Sequence, residues 1–486
     1  MNSTAQLRAP YADALRSHAG RGWLRLGVPG HAADISADSP LVRAFGAGVP
    51  LLDFPPLLDG IDLGTDTPMD EALALAAAAW GARRTWFLTN GASQGNQIAS
   101  LVAPALGRTL VVQRSVHSSV IDGLVLSGLE AAFVHPSVDT EQGIAHGVTA
   151  ADLAGTLARH PDAAAAYVVS PSYFGAVADI RALAGVAHAA GVALIVDEAW
   201  GAHFGFHPDL PGGALSQGAD LVTSSTHKLA GSLTQSAMLH LGHGPFAEVL
   251  EPLVERAHRL VQSTSASALL TASLDLARMA LVTGRDAIGA SVEAADKIRG
   301  MIRALGRFRV VSDGFGRFPD IAAADPLRIA IDTRAGGIPG HEARRRLSRD
   351  HRIMVEVATD SAVVAVVGAG SFPDADRFVE ALHSLPCPLG GGADEPLRLS
   401  LPEPGPTRLT AREAFMGPTR LVPAAEAVGL ISADTLAAYP PGIPNVLPGE
   451  TVTEETVRFL QRTAAAPGGH VRGAVDPGVT RLRVVG

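Results

Sequence analysis

The 486 residues contain a single cysteine, Cys387, set between Pro386 and Pro388. A lone cysteine forms no internal disulfide and no zinc cluster, and its scarcity fits a reducing compartment. There is no block of basic residues, and the formal net charge is −9. A nucleic-acid or anionic-membrane surface is thereby disfavoured, and the charge reads as solubility. Apolar stretches such as Ala72–Trp80 are far too short to span a bilayer. The N-terminus lacks the charged-then-apolar pattern of a signal peptide, so a cytoplasmic, soluble protein is expected. Internal repeats and low-complexity linkers are missing as well. What the chain does have is apolar mass: 47% of residues are hydrophobic and 18% charged. That supports a large core, divided at this length into two or three domains.

From about residue 70 to 240, short apolar runs alternate with longer amphipathic ones. Arg84–Thr89, Leu110–Gln113, Ala131–His135, Ala166–Ser170, Ala193–Asp197 and Leu221–Ser225 read as strands, rich in Val, Leu, Phe and Thr and free of internal Pro or Gly. The segments between them read as helices. Asp179 is placed to cap Ile180–Ala190, with Gly191 at its end, and Asp152 to cap Leu153–His160. This alternation predicts an α/β fold with a mostly parallel sheet covered on both faces. Ligands of such sheets bind beyond the carboxyl ends of the strands. A helical stretch follows over roughly Ala266–Leu305. Phe308–Val311, Arg328–Ile331, Ile353–Val357 and Ala362–Val367 then read as strands of a smaller αβ unit, and from about Pro386 a Pro- and Gly-rich module begins.

The strand ends carry the chemistry. After the first strand comes Asn90-Gly91-Ala92-Ser93-Gln94-Gly95-Asn96, a small-residue turn opening a helix, whose N–H groups suit an anion. By itself it is also a structural turn. After the second comes His117, either a capping residue or a ring to stack on a planar cofactor. After Ala193–Val196 comes Asp197, a buried carboxylate that needs a cationic partner such as a protonated pyridine, unless it caps a helix. After Leu221–Val222 comes Thr223-Ser224-Ser225-Thr226-His227-Lys228. Lys228 is an amine nucleophile if its surroundings lower its pKa, and otherwise an exposed lysine. Ser225 and His227 are candidate phosphate donors. An anion cradle, a ring face, a proton-holding acid and an imine-forming amine, in this order and each at a strand end, are the parts of a pyridoxal 5′-phosphate (PLP) site.

These stretches resemble the Orn/Lys/Arg decarboxylases of PLP fold type I. The resemblance rests on Thr89–Asn96, Ser170-Pro171-Ser172-Tyr173-Phe174-Gly175, Val196–Phe204, Ser225-Thr226-His227-Lys228, Leu233-Thr234-Gln235, Gln262-Ser263-Thr264-Ser265 and Ser273-Leu274-Asp275. Val28-Pro29-Gly30-His31 looks familial too. Tyr439-Pro440-Pro441-Gly442-Ile443-Pro444, followed by Pro448-Gly449-Glu450, resembles the C-terminal domain that generic aminotransferases lack. The division this implies is an N-terminal segment (1–62), a PLP-binding major domain with a mostly parallel sheet (63–300), a smaller αβ domain (301–385) and a C-terminal domain of the decarboxylase type (386–486). The large N-terminal wing of the inducible members is not expected in a chain of this length.

The resemblance implies that Lys228 holds PLP as a Schiff base and that Asp197 keeps the pyridine nitrogen protonated. His117 stacks on the ring and Ala199 packs on its other face. Gly91, Ala92, Ser93, Ser225 and His227 hold the phosphate, and Lys228 or His227 returns a proton to Cα. Tyr173 and Trp200 are substrate candidates, Thr264 and Ser265 reach in from a second subunit of a homodimer, and no metal takes part. The distal positive charge of a basic amino acid calls for an acid, with Glu198, Glu356 and Glu450 as candidates. The implied reaction is decarboxylation of arginine, lysine or ornithine, in polyamine biosynthesis. The departures concern substrate choice: Ser118 stands where relatives often carry lysine, Ser265-Ala266-Ser267-Ala268 replaces a stretch that usually holds a tyrosine, and Ala32 follows Gly30-His31 where lysine is usual. An aminotransferase or β-eliminating lyase on the same fold, with Arg328 or Arg408 holding the α-carboxylate, remains an alternative. So does a PLP-fold protein without catalysis.

Overall fold

Runs of Val, Leu, Ile and Ala with no charged interruption have no face to turn to water, and they end up in the middle of a sheet. The computed structural model describes residues 3–387, 402–439, 443–465 and 469–486. Its centre is a seven-stranded sheet of β1 (Arg84–Leu88), β2 (Thr109–Gln113), β3 (Glu130–Val134), β4 (Ala163–Val169), β5 (Ala193–Asp197), β6 (Leu221–Ser224) and β7 (Ala237–Leu241). The spatial order is β1-β7-β6-β5-β4-β2-β3. Neighbours are parallel except at β7, which runs antiparallel to both β1 and β6. Strands β2, β5, β6 and β7 are buried along their whole length. The fold is thus the α/β architecture of PLP fold type I.

Six of the seven strands are the ones expected. The seventh, β7, was not read from the sequence, because His240 interrupts its short apolar run. The imidazole is nonetheless fully buried, with Thr85 Oγ1 at 2.9 Å from Nδ1 and Ser224 Oγ at 3.1 Å from Nε2. Asp179 does cap the helix Ile180–Ala189 through Ala182 N, and Gly191 follows it with φ +71°. Asp152, by contrast, is not a cap. Thr149 caps Ala150–Arg159, accepting from Asp152 N, and the Asp152 carboxylate takes the threonine hydroxyl in return. A threonine three residues ahead of an acid makes the better reciprocal pair. The long helical stretch is two helices, Ala268–Thr283 and Arg285–Leu305, broken at Gly284, where a Cβ would lie 2.5 Å from Ala280 O.

Two features bring the other units onto this sheet. Asp275 accepts from Tyr11 N (2.9 Å) and from Arg278 Nη2 (2.7 Å), with both side chains of that ion pair buried, and so ties the N-terminal helix Pro10–Ala19 to Ala268–Thr283. Arg114 donates to Pro444 O (2.9 Å) and to Glu450 Oε2 (3.0 Å), anchoring the C-terminal strands. The smaller unit is a four-stranded antiparallel sheet of Arg309–Val310, Arg328–Asp332, Ala362–Val366 and Val357–Ala358. Of the region expected over Ile353–Val357 only Val357 pairs as a strand, together with Ala358 beyond it, since Ile353 N turns back to Leu347 O. Trp200, Leu229 and Ala230 from the major unit share one apolar cluster with Leu327, Ile329 and Val367 of the smaller one. Residues 440–442 of the Tyr439–Pro444 motif lie outside the described residues. Among the described residues no helix is long and apolar enough to cross a membrane.

Burial pushes the His240 imidazole down from its ordinary value to about 3. A folded-state pKa below the unfolded one means that the neutral ring stabilises the fold above about pH 6.5 and that this contribution is lost as pH falls towards 3. Thermal melts from pH 7 to 4 should therefore show a smaller acid loss of Tm in His240→Gln than in the unaltered protein, even though the variant starts lower. Equal slopes would show that His240 does not carry the acid sensitivity.

Candidate active site

The site lies where β1, β2, β5 and β6 end. At the end of β1, Gly91 has φ +71° and its N–H reaches Gln235 O at 2.7 Å, turning the chain into the helix Gly91–Val102. Gly95 lets that helix approach β6, for a Cβ there would sit 2.6 Å from Thr223 Cγ2. The first turn, with Gly91, Ala92 and Ser93, leaves backbone N–H groups without helical acceptors, an arrangement suited to phosphate. At the end of β2, His117 Nδ1 accepts from Ser119 N (3.2 Å) and caps the helix Ser118–Ser127. His117 is thus both cap and site residue, since Asp197 and Lys228 both act on its charge. Its pKa is driven down to about 4, first by burial and further by Lys228 and Arg472, against the opposing pull of Asp197. A neutral imidazole can lie against a cationic ring without repulsion.

Asp197 closes β5 and is 3% exposed. Its Oδ1 accepts from Ala199 N (3.0 Å) and its Oδ2 from Asn96 Nδ2 (2.9 Å). Among the described residues no cationic side chain lies within ion-pair distance of it. A buried carboxylate held only by neutral donors fits a protonated pyridine nitrogen. At the end of β6 the chain makes one helical turn, Thr226–Leu229, in which Lys228 N bonds Ser225 O at 3.0 Å. Lys228 Nζ sits 3.9 Å from the centroid of the Trp200 ring. Burial lowers its pKa to about 8; Asp197 and Glu356 oppose the shift and Arg328 adds to it. Ser225 is buried beside it. His227 Nδ1 lies 2.9 Å from Ser236 O and must donate to that carbonyl. The neutral ring therefore offers Nε2 only as an acceptor, and it can donate to a phosphate only as imidazolium. These residues fit PLP.

The smaller unit forms one wall. Arg328 opens its second strand, is fully buried, donates to Tyr173 O at 3.2 Å and stacks its Cζ 4.0 Å from the Trp200 centroid. Tyr173 meets Trp200 edge-on at 5.9 Å. Trp200 thus brings Tyr173, Arg328 and Lys228 together around one ring.

Two of the three candidate acids are engaged by protein partners. Glu198 is buried and accepts from Ala214 N at 2.8 Å, and burial raises its pKa to about 8. Glu450 is taken by Arg114 and by Leu447 N at 2.9 Å. The bonds from Ala214 N and Arg114 join residues far apart in sequence and leave no local trace. Glu356 is exposed and is the acid whose charge acts on Lys228, His227 and Arg328. Thr264 and Ser265 lie on an exposed loop after the helix Ala247–Val261. Sequence reasoning quoted Asn96 without giving it a role and passed over Ser119 and Tyr167.

Residues 9–314 match the family model "Orn/Lys/Arg decarboxylase, major domain" and residues 399–468 match "Orn/Lys/Arg decarboxylase, C-terminal domain". The arginine decarboxylase of Bacillus subtilis is 33% identical, over 99% of this chain and 98% of the relative. That of Halalkalibacterium halodurans is 34% identical over 99% and 98%. The lysine decarboxylase of Francisella novicida shares the fold, with a TM-score of 0.81 at 20% identity over 99% of this chain and 82% of that one. Matches to both domain models and relatives aligned over nearly their full length lead to one conclusion: the chain belongs to the Orn/Lys/Arg decarboxylase family and is a decarboxylase.

Proposed function

We propose that the protein is a PLP-dependent decarboxylase of basic amino acids, with arginine as substrate and Lys228 as the residue that carries the coenzyme. The observation behind this is Lys228 itself: a half-buried amine laid on Trp200, at the same end of the sheet as a buried acid with no cationic partner among the described residues. Arginine is favoured over lysine and ornithine because the full-length relatives near one-third identity bear the name arginine decarboxylase, whereas relatives named lysine decarboxylase stand near 24%.

Lys228 supplies the amine. With its pKa near 8, about one amine in ten is uncharged at pH 7, enough to act as a nucleophile. Asp197 remains the anion that holds a proton on the pyridine nitrogen. His117 lies against the ring, with Ala199 on its other side. The helix start at Gly91, Ala92 and Ser93, together with Ser225 and His227, holds the phosphate. When bound there, PLP supplies the electron sink for the carbanion left as carbon dioxide departs. Lys228 would return a proton to Cα, and His227 could do so only as imidazolium, since its Nδ1–H is given to Ser236 O. Trp200 and Tyr173 exclude water from the amine.

Glu356 reads the distal positive charge of the substrate. It is the one of the three candidate acids whose carboxylate has no hydrogen-bond or ion-pair partner among the described residues. The working unit is a homodimer, supported by the exposed apolar side chains of Trp23, Leu24, Leu26, Val28 and Phe45 in the N-terminal segment and by the exposed Thr264–Ser265 loop. Apolar exposure on that scale marks a covered surface.

Incubation with arginine, lysine and ornithine in turn, with amine and carbon dioxide measured, decides the substrate. Borohydride treatment and peptide mapping should place a pyridoxyl group on Lys228, and Lys228→Ala should lose both label and turnover. Asp197→Asn should lower kcat by ~10³ or more, the scale for removing a key electrostatic stabiliser; a loss below about tenfold would leave Asp197 a structural residue. Glu356→Gln should raise KM for arginine by about tenfold with little change in kcat, as for the loss of a charge-assisted contact made in ground and transition states alike. A KM unchanged in that variant would remove Glu356 from the substrate site. Sedimentation velocity should return the mass of two chains, and a monomer at micromolar concentration would contradict the shared site.

A further inference from the structure

Asn96 is 1% exposed and sits one turn into the helix Gly91–Val102, away from water. Both N–H donors and the oxygen of its amide are in use. Oδ1 accepts from Tyr167 Oη at 2.9 Å, and Nδ2 donates to Asp197 Oδ2 and to Ser119 Oγ, each at 2.9 Å. Ser119 Oγ in turn lies 2.8 Å from His117 Nδ1.

The polarity of this chain follows from chemistry alone. An ionised carboxylate only accepts, so Nδ2 must face Asp197. With Nδ2 donating to Ser119 Oγ, the serine hydroxyl has its own proton to give, and the acceptor in reach is His117 Nδ1. The Ser119 N–H is also aimed at Nδ1, at 3.2 Å. His117 Nδ1 therefore carries no proton, and the neutral ring bears its hydrogen on Nε2.

We propose that Asn96 is a positioning residue that sets two members of the site at once, holding the Asp197 carboxylate towards the ring nitrogen and, through Ser119, fixing the Nε2-protonated tautomer of His117. The role rests on the PLP reading for its purpose, but the tautomer is a property of the protein without coenzyme. The depressed pKa of His117 agrees with a ring held neutral in this way. Tyr167 completes the arrangement from β4: its hydroxyl satisfies Oδ1 and prevents the amide from turning over.

The test uses the full chain. Selective ¹⁵N-histidine labelling of the protein freed of coenzyme should show His117 with an unprotonated Nδ1, and Ser119→Ala should raise the Nδ1–H population in part, since the backbone N–H of residue 119 still faces that nitrogen, while the fold and melting temperature stay near those of the parent. Asn96→Leu should do the same and should also weaken PLP binding, read by titration of visible absorbance, by about tenfold or more. Ser119→Ala should change PLP affinity by less than about threefold, because the bond to Asp197 survives. A His117 tautomer unmoved by Ser119→Ala overturns the proposal, even if Asn96→Leu fails to fold. So does a folded Asn96→Leu with parental PLP affinity. If the unaltered protein takes up no PLP at all, the coenzyme reading fails instead, and the histidine spectra still decide the positioning claim.

Discussion

A carboxylate buried at the end of a central strand, with neutral donors around it and no cation in contact among the described residues, is the constraint on which this site is built. Taking an ionised group out of water is costly unless something compensates. Two hydrogen bonds, from Ala199 N and Asn96 Nδ2, offset part of that cost for Asp197. The rest requires positive charge, which on the proposed reading a protonated ring nitrogen would supply. The neighbouring arrangement serves the same end. Gly95 lets the helix carrying Asn96 pack against Thr223, beside Asp197 in the sheet register. His117 is kept neutral, so it does not compete for the acid.

The amine faces the opposite condition. Lys228 has no carboxylate within ion-pair distance among the described residues, and its ammonium rests on the Trp200 ring. The same ring is stacked by the Arg328 guanidinium, so two cations share one aromatic side chain. Cation–π attraction holds each of them, while burial and their mutual repulsion favour the uncharged amine. Arg328 belongs to the smaller unit and Trp200 to the major one. The contact that joins the two units is therefore also one that tunes the reactive lysine.

Much of this was legible in the sequence, for a local reason. Strands, caps and helix starts are written in adjacent residues, so Asp179 could be placed as a helix cap, and Lys228, Asp197 and the Gly91–Ser93 turn at strand ends, without coordinates. His117 was read as either a cap or a ring-stacking residue; it caps its helix and lies within reach of the site. Where local pattern competed with a buried polar residue, as at His240 in β7, the strand went unseen. Three glutamates looked equivalent because a carboxylate carries no mark of its partner. Ala214 N takes Glu198 and Arg114 takes Glu450, across 16 and 336 positions of chain.

The order of residue types along the chain determined the alternation of strand and helix, the strand-end chemistry and the likeness to a decarboxylase family, because each is a property of near neighbours and spacing. Tertiary structure alone decided which acid stays unpaired, that Arg328 leans on Trp200, and that one amide governs both Asp197 and His117. Those outcomes depend on which elements pack together. Packing sets burial and hydrogen-bond partners between residues far apart in the chain.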